Sequence, residues 1–431
     1  MKIAVVGSGI AGMTTAHLLA EQRHDVHLYE SSYRLGGHTA TVDVEDADGK
    51  LLAIDTGFIV FNNRTYPLFT SLLDKLAIGR QPTEMSFSVS DRTTGIEYAG
   101  SNLDSLFAQR GNIVSPRFWT LVRDILRFNR EVEADLARDP TLAAATLGEY
   151  LHMYKYSTMF RELYLIPMGA AIWSSNHDTL DGFPLGFFVK FFRNHGLLQI
   201  RDRPQWYVIP GGSRSYIQPL TESVLGGLRL ASPVKHIQRN VVHEGKVQVC
   251  VTTQHQHAYY DQVVLACHSD QALRLLSDPT GSEREILGAI PYTRNEVVLH
   301  TDESLLPQNR RTWSAWNVSL GRSGLAKPAL TYNMNILQGL KSSQTWCVTL
   351  NETSLIREEC IRSVAEFEHP LFTMAGIAAQ QRWSEINGDN GTWYAGAWWR
   401  NGFHEDGVWS AHRVASALHH VTCNEMTAEY A

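Results

Sequence analysis

The sequence predicts an α/β fold in which a parallel-sheet domain is interrupted by a second, mixed α+β domain. Three observations carry this. An apolar run at the N-terminus leads straight into a glycine-rich turn and a helical stretch. Buried-strand patterns return near residues 262 and 393. Long helical and strand-like stretches fill the intervals.

Lys2-Ile3-Ala4-Val5-Val6 has the pattern of a short strand buried on both faces. Gly7-Ser8-Gly9-Ile10-Ala11-Gly12 follows at once, and Met13 to Gln22, rich in Ala, Leu and Met, reads as a helix. Asp25 to Tyr29 reads as a second strand. It ends in Glu30, 18 residues beyond Gly12. G-x-G-x-x-G between strand and helix, with an acid after the next strand, is the pattern of a Rossmann-like dinucleotide unit. Gly7 permits the tight turn. Gly9 lets backbone N–H groups approach a pyrophosphate, and Gly12 lets helix and strand pack closely. The helix N-terminus offers unpaired N–H groups to the anion, and Glu30 offers acceptors to ribose hydroxyls. An ordinary structural turn would leave the order of these elements unexplained.

Composition narrows the function classes. With 431 residues, 44% hydrophobic and 19% charged, the chain suits two interlocked globular domains. A net charge of −6 gives no basic footprint for nucleic acid, although a local patch leaves room for peripheral membrane contact. Five scattered cysteines without a CxxC predict no disulfide framework and a cytoplasmic setting. The start of the chain lacks a signal-peptide pattern, and no run reaches the roughly 20 apolar residues of a spanning helix. The 18 histidines are dispersed. No metal cluster, Ser-His-Asp spacing or Gly-Lys-Ser phosphate loop is expected. Oligomeric state is not legible.

After Glu30 the chain reads Ser31-Ser32-Tyr33-Arg34-Leu35-Gly36-Gly37-His38-Thr39. An acid followed by an Arg and a Gly-Gly pair resembles the extended fingerprint of the FAD-dependent amine oxidase and phytoene desaturase superfamily. The resemblance implies non-covalent FAD held by Gly7, Ser8, Gly9, Ile10, Ala11, Gly12 and Glu30. Arg34 would bring positive charge near the phosphates, and Ser31, Gly36, Gly37, His38 and Thr39 would run against the cofactor. Leu51 to Phe58 resembles the segment passing the isoalloxazine ring, at Gly57 and Phe58. Leu228 to Ile237 resembles the strand pair whose Val234 backbone meets adenine. Gln262 to Cys267 resembles the strand closing the dinucleotide domain.

In that superfamily a late strand ends in Gly plus an acid, and a glycine-containing turn then starts a helix facing the flavin O2 edge. Trp393-Tyr394-Ala395-Gly396 matches the strand, and Glu405-Asp406-Gly407-Val408 the helix start. Ala397 stands where the acid is usual. Either Glu405 or Asp406 takes over, or the contact is absent. A plain acidic helix cap is the alternative for both. Further phrases, including Asn194-His195-Gly196, His369-Pro370 and Gly402-Phe403-His404-Glu405-Asp406-Gly407, are similar to a bacterial subgroup of NAD/FAD-binding proteins. Its members are often encoded beside cyclopropane-fatty-acid-synthase-like methyltransferases, which implies a lipid setting.

The resemblance assigns 1–75, 205–268 and 385–431 to an FAD-binding domain of the discontinuous amine-oxidase type. It leaves 76–204 and 269–384 for the substrate domain. There, helices are expected over Pro116 to Leu136, Thr146 to Tyr164 and Leu355 to Glu366, and strands over Glu296 to His300 and Trp346 to Leu350. Phe183 to Arg193 holds five phenylalanines in eleven residues. It reads as helix core in preference to a channel wall or membrane-facing lip. Tyr332 and Asn333 are candidates to face a substrate over the flavin.

The implied activity is that of an FAD-dependent oxidoreductase. The expected reaction is hydride abstraction, a dehydrogenation or desaturation, from a hydrophobic and in one reading fatty-acyl substrate. An amine oxidase releasing peroxide, a flavin-dependent isomerase without net oxidation, and a flavin-binding protein without turnover are the alternatives. Lys235 and Lys327 do not lie in a phrase typical of the amine oxidase lysine. His38 stands where many amine oxidases have Arg and many desaturase-like relatives have His, which tilts towards desaturation. Its imidazole would hydrogen-bond the cofactor or relay a proton, or be incidental to a backbone contact.

Overall fold

The computed structural model describes residues 1–173, 180–199, 203–321 and 328–429. Its first layer is a parallel sheet of five strands. In spatial order they are Leu228–Arg229, Asp25–Tyr29, Lys2–Val6, Gln262–Leu265 and Thr392–Tyr394. The central strand is buried on both faces, as its unbroken apolar run requires. Helix Ile10–Glu21 follows the glycine turn and packs along the long C-terminal helix His404–Glu429. Ile3, Met13, Val264, Tyr394 and Val414 are fully enclosed in the core between them. Each such apolar side chain stabilises the fold by about 1.5–3 kcal/mol.

Two glycines of the first turn are required by close approach. Gly7 has φ +104°, and a Cβ there would sit 2.9 Å from the Ala266 carbonyl oxygen. A Cβ on Gly12 would lie 1.8 Å from the Gly7 carbonyl oxygen. Helix and strand are therefore as close as backbone allows.

The second layer is a mixed sheet of seven strands. Its order is Ile361–Pro370, Tyr292–His300, Cys347–Leu350, Ala329–Asn333, Trp316–Leu320, Phe87–Asp91 and Ile96–Ala99. Helices Pro116–Arg138, Leu147–Met153 and Leu185–Asn194 build a separate core beside it. The border between the cores does not follow the chain positions alone. Ala272, Ile286, Leu287, Ala379 and Trp383 pack into the core of the parallel sheet.

Two local expectations change and one holds. Leu355 to Glu366 is not a helix: Ile361–Pro370 is an edge strand paired antiparallel with Tyr292–His300. Residues 361, 364 and 365 fit a helical period and residues 361, 365 and 367 an alternating one, and sheet pairing decides. The helix over Thr146 to Tyr164 is interrupted. It ends at Met153, Lys155 takes φ +52°, and Ser157 caps a new turn. Phe183 to Arg193 does form a core helix. Phe188, Phe191 and Phe192 are buried.

Asp55 joins three segments. Its carboxylate is fully buried and accepts from Thr41 Oγ1 at 2.6 Å, Ser213 N at 2.9 Å and Gln338 Nε2 at 3.2 Å. Burial raises its pKa to about 6, against the lowering effect of these donors.

Candidate active site

A single cavity of about 1360 Å³ runs from the first glycine turn to the inner face of the seven-stranded sheet. Small-ligand sites usually enclose roughly 300–1,000 Å³, so there is room for a large cofactor and a substrate together. At one end it is lined by Gly7, Ser8, Gly9, Ile10 and Ala11, and by Glu30, Ser31 and Arg34. Gly36, Gly37, His38, Gly57, Phe58, Val234 and Gly396 continue the same wall. The sequence fingerprint is thereby brought together from five separate stretches of chain.

The turn fits a pyrophosphate on two counts. A Cβ built on Gly9 meets no protein atom within 4 Å, so the space above it belongs to the cavity. Helix Ile10–Glu21 has no side-chain cap and no acid in its first turn. Its leading N–H groups and dipole are left for an anion. Glu30 is fixed by Ser8, which donates from N at 3.0 Å and Oγ at 2.6 Å, and by the Ser32 N–H at 2.8 Å. Arg34 directs its guanidinium to carbonyl oxygens of its own loop, Thr39 at 2.6 Å and Gly37 at 2.8 Å. It therefore shapes the Gly-Gly loop as well as bringing charge to it.

Several expected contacts lie behind the wall. Gly12 closes the helix against the strand. Thr39 is buried and shares a hydrogen bond with Tyr216. Gly407 packs on Ile10, where a Cβ would stand 2.7 Å from Cγ2, and Val408 is fully enclosed. Glu405 and Asp406 do not take over the missing acid. The Glu405 carboxylate accepts from the backbone N–H of Leu68 at 3.1 Å and Phe69 at 2.9 Å. Asp406 reaches back to the N–H of Phe403 at 3.0 Å and Asn401 at 3.2 Å, closing its own helix start. Both carboxylates are buried, and burial raises their pKa values, Asp406 to about 6. At the position of the usual acid, Ala397 lines the cavity.

Gly402, Phe403 and His404 of this turn do reach the cavity, and sequence reasoning gave His404 no role although it lies inside the quoted phrase. Its Nε2 is 2.9 Å from Tyr216 Oη and 3.2 Å from Thr39 Oγ1. Burial pushes its pKa down to about 3, so the ring is neutral. His38 also lines the cavity, grouped with His268 and His369 at ring-centroid distances of 6.1 and 5.2 Å. Burial first, and the neighbouring imidazoles second, hold His38 well below its usual value. Its Nε2 is closed off from solvent without a hydrogen-bond partner. His268 stands in no phrase that the sequence singles out; the fold brings it to His38 and His369.

At the far end, Met168, Ile172, Trp173, Phe191, Leu350 and Phe372 are among the walls. Tyr332 lines the cavity edge-on to Trp316, centroids 5.2 Å apart and planes at 75°. Asn333 does not face it. Its side chain caps helix Met334–Leu337, accepting from Ile336 N at 3.3 Å. Among the described residues no lysine lines the cavity. Lys327 lies outside the described residues. Also among them, no group of His, Cys, Asp or Glu is arranged to hold a metal.

Comparison with known proteins agrees with this geometry. A family model described as flavin containing amine oxidoreductase matches residues 10–334. The AofH protein of Mycobacterium tuberculosis, which carries a flavin-containing monoamine oxidase name, is 25% identical over 250 residues, 55% of this chain and 51% of that protein. The chain thus spans about half the length of that curated relative. Zeta-carotene desaturase of Synechocystis is 40% identical over 76 residues, 18% of this chain and 14% of the desaturase. Among solved structures, cyclohexylamine oxidase from Brevibacterium oxydans superposes with a TM-score of 0.69 at 14% identity. The match covers 96% of this chain and 98% of that one, and shows the shared fold. FAD is the cofactor that this family and this turn imply. The chain belongs to the flavin containing amine oxidoreductase family.

Proposed function

We propose that the protein dehydrogenates a hydrophobic, fatty-acyl-type substrate at a saturated carbon. The observation that carries this is the aromatic and aliphatic wall that continues from the cofactor end of the cavity, formed in part by Met168, Ile172, Phe191 and Phe372. Such walls bind alkyl chains by removing apolar surface from water, about 25 cal/mol per Å². The relative named as a carotene desaturase supports the same reading.

Bound FAD supplies the hydride acceptor. The chain supplies the rest. Gly9 and the uncapped helix start would hold the pyrophosphate, Glu30 the ribose hydroxyls and Val234 the adenine. Phe58 and His404 stack on one another in the cavity wall. Burial lowers the pKa values of His404, His38, His268 and His369, which disfavours positive charge in the reaction space. The apolar walls exclude water from the reacting carbon.

A second reading is amine oxidation. The edge-to-face pair of Trp316 and Tyr332 on the cavity wall favours it, since aromatic faces attract an ammonium or amine. The two are separated by anaerobic mixing of the yellow protein with long-chain acyl compounds and with primary amines. Bleaching of the flavin bands by an acyl compound, with an unsaturated product, supports dehydrogenation. Bleaching by amines alone, with peroxide released on admitting air, selects the oxidase. An acyl product of unchanged mass selects an isomerase.

A further inference from the structure

Scattered exposed apolar side chains are ordinary on protein surfaces. One group here is not scattered. Leu103, Val114 and Trp119 are 74%, 82% and 47% exposed, and Ile113 lies beside them, all in one short stretch. The stretch is compact and ordered by its own contacts. Asn102 caps helix Leu103–Leu106, Trp119 Nε1 donates to the Ile113 carbonyl at 2.8 Å, and Trp119 lies against Phe107 with ring centroids 5.4 Å apart. Helix Pro116–Arg138 turns Phe118, Leu121 and Phe128 inward. Its outer stripe carries Trp119, Arg123, Leu126 and Arg130, spaced as one helix face.

The stretch leading into and through the first turns of this helix is rich in arginine. Residues 101–130 contain five arginines and two aspartates, in a chain whose net charge is −6. Asp104 pairs with Arg110, the buried Asp124 lies 3.7 Å from Arg123, and Arg127 and Arg130 share Glu131 just beyond the stretch, which leaves Arg117 outside these pairs. Arg117 and Arg123 are exposed. Tryptophan and aliphatic tips flanked by arginine are the chemistry of an interfacial contact with an anionic bilayer.

The patch is continuous with the cavity. Gly100, Ser101 and Asn102 line the cavity and are also exposed, so they mark a mouth, and Leu103 follows directly. Glu84 and Arg203 are among the exposed charged residues that line the cavity. We infer that the face formed by Leu103, Ile113, Val114, Trp119 and its arginines docks on an anionic phospholipid surface, placing the cavity mouth at the bilayer. The docking stands on the surface itself. Its use, entry of an apolar substrate from the membrane, rests on the function proposed above.

The test is co-sedimentation of the full-length yellow protein with vesicles. Vesicles of phosphatidylcholine mixed with phosphatidylglycerol are compared with phosphatidylcholine alone. Binding is expected to the mixed vesicles and to weaken as salt is raised. Arg117→Gln and Arg123→Gln should each weaken it about five-fold, and Val114→Ser about ten-fold. Flavin content, and any turnover of a detergent-dispersed substrate, should stay as in the parent protein. Absence of binding to the mixed vesicles at low salt overturns the proposal. So does equal binding by all three variants. So does a Val114→Ser protein that changes from dimer to monomer while its lipid binding is unaltered, because the occupant would then be a second copy of the chain. Turnover in detergent is read separately, so failure of docking and failure of the substrate reading give different results.

Discussion

His404 lies face to face on Phe58, with ring centroids 3.5 Å apart and planes 12° from parallel. The same imidazole meets Tyr216 and Thr39 through Nε2. The Tyr216 hydroxyl can donate or accept in this contact, and burial holds the imidazole neutral.

His404→Phe should keep the stack and lose the hydrogen bonds. The expected destabilisation is about 1–2 kcal/mol, since a buried hydroxyl loses one of its partners. Tyr216→Phe made in the His404→Phe background should add less than it does in the parent protein, because the pair is one interaction. Urea denaturation of the four proteins measures this. Additive losses would show that the two residues are not coupled.

The glycines of the first turn should separate cofactor binding from folding. A side chain on Gly9 meets no protein atom, so Gly9→Val is expected to fold and to lose its flavin. Gly12→Val must push against the Gly7 carbonyl and should lose stability by several kcal/mol. Absorbance of the purified proteins and their thermal midpoints distinguish the two. A yellow Gly9→Val protein would remove the pyrophosphate from this turn. Glu30→Ala should weaken flavin binding less than Gly9→Val, because it deletes acceptors and inserts nothing.

Much of this was legible in the sequence, and the limit has a physical cause. The order of strand, glycines, helix, strand and Glu30 is local, and local order fixes which residues face the cavity there. Contacts made across the chain are different. The edge strand Ile361–Pro370 carries a pattern compatible with a helix and is decided by its pairing with Tyr292–His300. Glu405 looked like a flavin contact because it sits at a helix start. Its partners, Leu68 and Phe69, are more than 300 residues away and no spacing rule reveals them. His268 is equally ordinary in sequence until the fold brings it to His38.

Asp55 predicts a dependence of stability on pH. Its folded pKa, about 6, lies above the ordinary value of 3.8. The native state therefore binds its proton more tightly than the unfolded chain does. The associated stability is present at acid pH and is lost as pH rises through about 6. A shift of that size corresponds to a change of order 3 kcal/mol. Asp406, raised in the same way, adds a component of the same sign. Asp55→Asn should reduce the fall in stability between mildly acidic and neutral pH without abolishing it. Denaturation at a series of pH values gives the slope. An unchanged slope in the variant would assign the effect elsewhere.

Glu405 offers the sharpest test of how this chain departs from the superfamily pattern. Helix Pro67–Lys75 begins after Tyr66, which gives it no side-chain cap. Glu405 supplies the cap from the start of another helix, and its negative charge also faces the positive end of the dipole. Glu405→Ala leaves two buried N–H groups without a partner and should cost about 1–3 kcal/mol. Glu405→Gln keeps an acceptor for one of them and should cost less. In both variants the flavin should be retained, because the carboxylate points at backbone and not into the cavity. Flavin content and denaturation midpoints, measured on the same preparations, separate the two roles. Loss of flavin at unchanged stability would return Glu405 to the cofactor. Loss of stability with full flavin content leaves the position of the usual acid to Ala397, so the flavin here is held without that carboxylate.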